Sequence, residues 1–446
     1  MKIVVAGAGA VGSHLAKMLS QENHDIILID PDEEKLRQVG GNLDVLTRIG
    51  SATSISDLLD VNIKKADLFI AVATSEEINI TASILGKKLG AKKTIARIDN
   101  QEYLYQKHKQ HFIDMGIDYM IYPEKIASKE IAGLMHQTGS SNVVDFSGGK
   151  LFLHAIKIED DAPVIGKSLS TLVHDENKQD YRAVAITRNG KTLIPSGDDT
   201  LEKGDFVYVI SSTREIDSLL TNTGKEQFDV NNIMILGGSR VGMLTAKELG
   251  PNYNIKLIEK DREKSYKLSN MLNNTLVING DGRDYSLLVE EGLGNMEAFI
   301  AVTGDSEINI LSCMLAKKMG VKKTIAEVEN MEYIGLAENM GIDVIINKKL
   351  ITASRIFRFT SSESVSAVRC LTGTDAEVME YNVKSGAKIT KSALNKINFP
   401  KDAIIGGVIR EDSSFIANGY TLVKPDDRVV VFSLPSAINK TSKLFN

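Results

Sequence analysis

Gly7-Ala8-Gly9-Ala10-Val11-Gly12 places three glycines where a chain can turn tightly, bring its backbone against a pyrophosphate and pack a helix close to a strand. An anion held there would face the free amides at the start of a helix. The next apolar run, Ile26-Ile27-Leu28-Ile29, ends in Asp30, at about the 20-residue spacing where a carboxylate meets the hydroxyls of an adenine ribose. A carboxylate there would repel a 2′-phosphate, so Asp30 favours NAD or an adenine nucleotide over NADP. Ala73-Thr74-Ser75 closes another apolar run, and its hydroxyls and amides stand where ligands approach; Thr74 or Ser75 also reads as a helix cap, with Glu77 in a capping box. Arg97 ends the run Ile95-Ala96-Arg97, where a guanidinium could reach a phosphate or pair with Asp99 or Glu102.

The same chemistry returns further on, altered. Gly237-Gly238-Ser239-Arg240-Val241-Gly242 repeats the glycine motif with Ser239 at its middle glycine, and Ile255-Lys256-Leu257-Ile258 again ends in an acid, Glu259. A side chain at Ser239 narrows the approach of a pyrophosphate, although its hydroxyl could donate a hydrogen bond. Arg97 becomes Glu327, which would oppose an anion. Ser51 with its counterpart Asp281, and Thr303 opposite Ala73, complete the two candidate sets.

These matches belong to a duplication of nearly the whole chain. Ala71–Ile80 recurs as Ala301–Ile310 and Lys92-Lys93-Thr94-Ile95-Ala96 as Lys322-Lys323-Thr324-Ile325-Ala326, both 230 residues on. After a deletion opposite Tyr105–His111, Met115-Gly116-Ile117-Asp118 pairs with Met340-Gly341-Ile342-Asp343. Later still, Arg188, Ile194, Gly197 and Asp205 pair with Arg410, Ile416, Gly419 and Asp427, with a polar seam at Thr221–Asp229.

Within each copy short apolar runs first alternate with helix-period segments, the pattern of a parallel doubly wound sheet. Alternating strands with turns at Asn189-Gly190 and Pro195-Ser196-Gly197 follow, as in a small domain of hairpins. The fold class is α/β: two Rossmann-like doubly wound parallel-sheet domains, 1–138 and 231–361, each followed by a small α+β C-terminal lobe, 139–221 and 362–446. Pro123 starts a connecting helix to about His136. A second connector lies near Lys348–Phe359, where Ile351, Ile356, Phe357 and Phe359 suit a hinge, a dimer surface or ordinary packing.

Several functions drop out. The 446 residues are 43% apolar and 25% charged, a globular composition, and 53 basic against 58 acidic residues leave a formal charge of −5, against a dedicated nucleic-acid binder. Cys313 and Cys370 cannot form a disulfide framework and fit a reducing compartment. The first residues read as a strand rather than a signal peptide, and no run reaches the 18 or more apolar residues of a membrane span, so any action at a membrane needs a partner. The seven histidines, His14, His24, His108, His111, His136, His154 and His174, all lie in the first half; no metal spacing appears, and the copies share no general base or nucleophile. Asp161–Ser168 ends like a phosphate loop, but Asp161 replaces its first glycine, and a turn before a short helix fits better.

With Gly7–Gly12, Asp30, Ala73-Thr74-Ser75, Asn79 and Arg97, the sheet domains resemble RCK (KTN) domains. Pro163-Val164-Ile165-Gly166-Lys167-Ser168-Leu169 and Leu201-Glu202-Lys203-Gly204-Asp205 are similar to the lobes that accompany them. The resemblance implies a regulator and not an enzyme. Such a chain would form a homotetrameric ring at the cytoplasmic face of the inner membrane, bind NAD(H), or alternatively ATP or ADP, and gate a TrkH-like potassium-translocating subunit. It would hold phosphate at Gly7, Gly9, Val11 and Gly12, ribose at Asp30, and the ligand's far end at Thr74 and Arg97. Two rivals stand beside it. An NAD-dependent oxidoreductase with a duplicated cofactor domain would need a catalytic His or Lys near the nicotinamide, and Lys92 and Lys93 suit a solvated turn better. A free-standing nucleotide sensor would need no membrane partner.

Overall fold

The computed structural model describes residues 1–20, 24–41, 43–135, 142–146, 149–158, 162–173, 181–188, 191–212, 230–357, 359, 365–370 and 376–445. Several sequence expectations lie outside these residues: the boundaries at 138, 221 and 361, the seam at 221–229, the Asn189-Gly190 turn, His136, His174, Asp161 and the Cys370 side chain.

Near-continuous apolar runs make strands buried on both faces. In the first copy these are β1 (Lys2–Ala6), β2 (Asp25–Asp30), β3 (Leu46–Ile49), β4 (Leu68–Ala71), β5 (Lys93–Arg97) and β6 (Tyr119–Ile121). All pair in parallel in the order β3-β2-β1-β4-β5-β6. The order reverses between β1 and β4, so the crevice outside their carboxyl ends is the place where such a sheet binds ligands. The two edge strands depart from burial on both faces: β3 is exposed along its length, and β6 is buried only at Ile121.

The first lobe is an antiparallel sheet of β7 (Asn142–Phe146), β8 (Leu151–Lys157), β9 (Tyr181–Arg188), β10 (Lys191–Leu193) and β11 (Phe206–Ser211). The second copy repeats the doubly wound order with β12 (Asn232–Leu236), β13 (Asn254–Glu259), β14 (Thr275–Asn279), β15 (Ala298–Ala301), β16 (Lys323–Glu327) and β17 (Val344–Ile346). Its lobe comprises β18 (Val365–Cys370), β19 (Glu377–Asn382), β20 (Ala403–Arg410), β21 (Ser413–Ile416) and β22 (Arg428–Ser433). The expected deletion falls in one place. The first copy has a tight turn at Gln101–Leu104 and a helix Gln106–Met115, where the second has only the helix Glu332–Asn339.

The chain divides into two compact units that exchange their connecting helices. One unit holds residues 1–126 with 348–363, and the other holds 127–347 with 364–446. In the first unit the second copy's connector, Lys348–Phe357, lies along the helix Ala10–Ser20. Ile356 and Phe357 are fully buried there, and the Phe359 ring sits 4.2 Å from Tyr119 between centroids. Of the four apolar residues considered for a hinge, a dimer surface or ordinary packing, Ile356 and Phe357 are therefore covered by packing within the chain, while Ile351 and Phe359 are half-buried.

In the second unit the two lobes share one core, in which Leu151, Val184 and Ile210 meet Val378, Ile404 and Phe432. Close approach explains two adjacent glycines: a Cβ on Gly406 would lie 2.8 Å from the Phe432 ring, and one on Gly407 would lie 2.7 Å from Leu151 Cδ1. At the sequence that ends like a phosphate loop, Gly166 has φ +75° and the short helix Leu169–Val173 follows. Among the described residues, no helix is long and apolar enough to cross a membrane.

Candidate functional site

Strand β1 is followed by Gly7, whose φ of +109° is open to glycine at little cost, and whose N–H donates to the Ile29 carbonyl at 2.9 Å. A Cβ there would sit 2.9 Å from Ala73 N, and one on Gly12 only 1.8 Å from Gly7 O. These two glycines thus let the turn, the neighbouring loop and the helix Ala10–Ser20 close on one another. Gly9 has a different reason to be small: a Cβ built on it meets nothing within 4 Å. That open side is where a pyrophosphate can come against the backbone. Ala10 is exposed and Val11 buried as the helix begins.

Asp30, only 9% exposed, ends β2 beside this turn. Its Oδ2 accepts the Ala8 N–H at 2.7 Å and its Oδ1 the Asp32 N–H at 2.8 Å. A carboxylate has about four acceptor positions, so one that holds the loop keeps capacity for ribose hydroxyls. Ser51 follows β3; its N–H donates to Asp57 Oδ2 at 2.8 Å, and its hydroxyl lies 2.9 Å from that of Thr53.

Across the switch point Asn79 organises the rest. Buried to 1% exposure, it accepts the Ala73 N–H at 2.7 Å and donates to the carbonyls of Ala73 and Arg97, each at 3.0 Å, tying the loop after β4 to the end of β5. Thr74 is exposed beside it. Ser75 caps the helix Glu76–Lys88 by accepting the Ile78 N–H. Glu77 instead takes the Ser75 hydroxyl at 2.5 Å, so the capping-box reading gives way to a serine cap alone. Glu76 accepts the amides of Asp99 and Asn100, a role that nothing in its spacing announced. Arg97 reaches Asp99 only at 3.5 Å, and its buried Nε has no hydrogen-bond partner. The ion pair is real but long, and it leaves most of the guanidinium's donors to other acceptors.

The second cradle keeps the geometry and changes the chemistry. Gly237 has φ +104° and donates to Ile258 O at 2.9 Å, and a Cβ on Gly242 would lie 2.0 Å from Gly237 O. Ser239 caps the helix Arg240–Leu249, its Oγ accepting the Gly242 N–H at 3.2 Å; Arg240 is exposed and Val241 buried. Glu259, 6% exposed, accepts the Gly238 N–H at 3.0 Å and the Asp261 N–H at 2.9 Å, and lies 2.9 Å from Lys264 Nζ. Burial alone would raise its pKa, but the two amides and the ammonium outweigh it and hold the carboxyl below its usual range. Asp281 is gripped by Arg283 through Nε and Nη2, which brings its pKa down to about 2. Thr303 donates its N–H and its hydroxyl to Asn309, which donates in turn to the Glu327 carbonyl.

Both candidate sets are therefore assembled, each on one sheet's carboxyl edge. The roles of Asn79 and Asn309 as staples were readable only as part of a repeated Glu-Ile-Asn run, and Lys264 carried no motif. Among the described residues, no group of three His, Cys, Asp or Glu stands close enough to hold a metal ion.

Two doubly wound sheets, each with a glycine cradle at its switch point and a small antiparallel lobe, define a tandem chain of the dinucleotide-binding fold class. The TrkA-N domain model matches residues 3–123 and 233–348, and the TrkA-C domain model matches 153–224 and 378–446. The chain belongs to the TrkA family. It is 35% identical over 455 residues to "Trk system potassium uptake protein TrkA homolog 2" of Methanosarcina mazei, covering 100% of both chains. It is 33% identical over 439 residues to "Trk system potassium uptake protein TrkA" of Vibrio alginolyticus, covering 97% of this chain and 95% of that one. Among solved structures it is similar in fold to the GsuK RCK domain, with a TM-score of 0.59 at 15% identity over 99% of this chain and 94% of that one. It is similar also to the GsuK channel bound to NAD, with a TM-score of 0.58 at 15% identity over 100% and 78%.

Proposed function

We propose that this chain is the nucleotide-sensing regulatory subunit of a potassium uptake system, acting at the cytoplasmic face of the membrane on a TrkH-like potassium-translocating partner. The observation that carries the reading is the first cradle: a turn open at Gly9, helix amides facing that opening, and Asp30 with acceptor capacity to spare. Arg97 suits a phosphate or other anion at the ligand's far end. NAD(H) fits this set, and ATP or ADP fits its adenosine half equally. Membership of the TrkA family supports the link to potassium uptake, and the relatives named above carry that role in their names.

A nucleotide bound here regulates only if it binds two conformations of the assembly unequally, by about 1–3 kcal/mol in typical switches. The residues of this chain orient the ligand and set that difference. Gly7 and Gly12 fix the amides, Asp30 the ribose, and Asn79 the spacing between the loops after β4 and β5. A homotetramer, with two such domains per chain, is part of the proposal.

Calorimetric titration of the full chain with NAD⁺, NADH, ATP and ADP, repeated on Asp30→Ala, tests it. Saturable binding lost in the variant, with no NADH oxidation across a panel of carbonyl substrates, is the expected result, and so is co-purification with a potassium-translocating membrane protein. NADH turnover would make the chain an oxidoreductase instead. Binding without any membrane partner would leave a free-standing sensor.

A further inference from the structure

We infer that the two cradles are functionally unequal: the first takes the nucleotide, and the second is closed by its own side chains, so that one chain binds one nucleotide. This rests on the proposed function and goes further by assigning the regulatory ligand to one half of the duplication.

The argument starts at the middle glycine. Around Gly9 the space a side chain would enter is empty to 4 Å, which leaves the helix amides approachable. In the second copy Ser239 puts a side chain into the matching space and turns its hydroxyl onto the Gly242 N–H at 3.2 Å. An amide that would face phosphate in the first cradle has a partner of its own in the second. A pyrophosphate would have to displace that cap and find room beside a Cβ, both of which subtract from affinity.

The ribose side is filled as well. Ala8 carries its methyl without conflict, whereas a Cβ on its counterpart Gly238 would lie 2.3 Å from Leu268 Cδ1 and 2.9 Å from Glu259 Oε2. Leu268 is buried, so its side chain has taken the volume beside the turn. Glu259 has three partners, Gly238, Asp261 and Lys264, where Asp30 has two backbone amides. Of about four acceptor positions, few remain for a pair of hydroxyls. The bidentate grip of Arg283 occupies Asp281 in the same way. At the far end the sign of charge reverses, with buried Glu327 where the first copy has Arg97. At Ser239, Glu259 and Asp281 an internal partner thus stands where a ligand contact would be.

Titration of NADH and, separately, ATP into the unmodified full-length chain, followed by calorimetry, tests the inference without relying on any variant. One equivalent per chain is expected. Gly9→Ser, which copies the second cradle's side chain into the first, should weaken that binding at least about tenfold, the effect of losing one good contact. Glu259→Gln should leave it unchanged. Two equivalents in the unmodified chain, one of them lost in Glu259→Gln, would overturn the inference and leave the proposed function intact. A single equivalent lost in Glu259→Gln and kept in Gly9→Ser would overturn it too. Binding of neither nucleotide would remove the functional reading itself.

Discussion

Arg188 holds Asp205 by a two-pronged fork, Nε to Oδ1 at 2.8 Å and Nη2 to Oδ2 at 2.7 Å, and the other lobe repeats it between Arg410 and Asp427 at the same distances. Both aspartates are 1% exposed. Each also accepts a backbone amide, from Glu202 or Lys424, and each arginine donates to one further carbonyl, of Thr200 or Leu422. The fork fastens the loop before the last strand of each lobe sheet to the strand two places along the chain before it. Residues that marked the register of the duplication are thus the ones a lobe needs to close.

Replacing Arg188 by Lys should destabilise the first lobe by roughly 2–4 kcal/mol. An ammonium cannot supply two parallel donors, and a buried carboxylate left half-paired is costly. Urea unfolding followed by circular dichroism should show a lower midpoint in Arg188→Lys and a similar loss in Arg410→Lys. Unchanged midpoints in both would mean that the forks do not hold the lobes.

Two glycines of one motif should fail in different ways. Gly12→Ala puts a methyl 1.8 Å from Gly7 O, and backbone cannot yield that far, so the variant should lose stability and nucleotide binding together. Gly9→Ala meets nothing within 4 Å, so it should melt close to the unmodified protein while binding NADH more weakly. Parallel thermal melts and titrations separate the two effects. A Gly9→Ala chain that binds normally would remove the pyrophosphate from that side of the turn.

Most of the architecture was legible because its signals are local. Apolar runs alternating with helix-period segments are enough for a doubly wound sheet, and the duplication counted each element twice. Glycine spacing with Asp30 at a strand end located the first cradle for the same reason. The exchange of connecting helices was not legible, since Ile356 and Phe357 are apolar whichever surface covers them. At the second cradle Ser239 and Glu327 were legible as departures from the first copy, but the filling of the ribose side was not, because Leu268 and Lys264 are ordinary helix residues whose meaning comes only from the turn they pack against. Long-range partners leave no spacing in a sequence.

Lys323 is the buried counterpart of an exposed lysine, Lys93, and it has a task that its twin lacks. Its Nζ donates to the Leu134 carbonyl at 2.6 Å, while the Tyr253 hydroxyl donates to Met135 O at 3.0 Å. Together they cap the carboxyl end of the connecting helix Pro123–Met135, where a cation also meets the negative end of the helix dipole. Lys323→Met keeps the volume and removes the donor. Hydrogen exchange should then rise in the last turn of that helix and stay level in the first lobe's β8 and β11. Equal exchange in both proteins would show that the cap holds nothing.

Stability should respond to pH through one buried and one half-buried group of opposite sign. His154, 1% exposed with its Nε2 2.9 Å from Ser211 Oγ, is pushed down to about 4 by desolvation. The unfolded chain therefore binds a proton that the native state refuses, and stability falls as pH drops from about 6.5 towards 4. Glu338 is raised to about 7 by desolvation, against a smaller opposing pull from Lys157. Here the native state keeps a proton that the unfolded chain has released, so stability is full below about 4.5 and is lost as pH rises towards 7. Glu338→Gln should accordingly stabilise the protein at pH 8 and leave it nearly unchanged at pH 4.5. His154→Gln should flatten the acid limb instead. Melting temperatures of the three proteins from pH 4 to 8 give the comparison, and a Glu338→Gln chain that gains no more at pH 8 than at pH 4.5 would show that folding does not raise the pKa of this carboxyl.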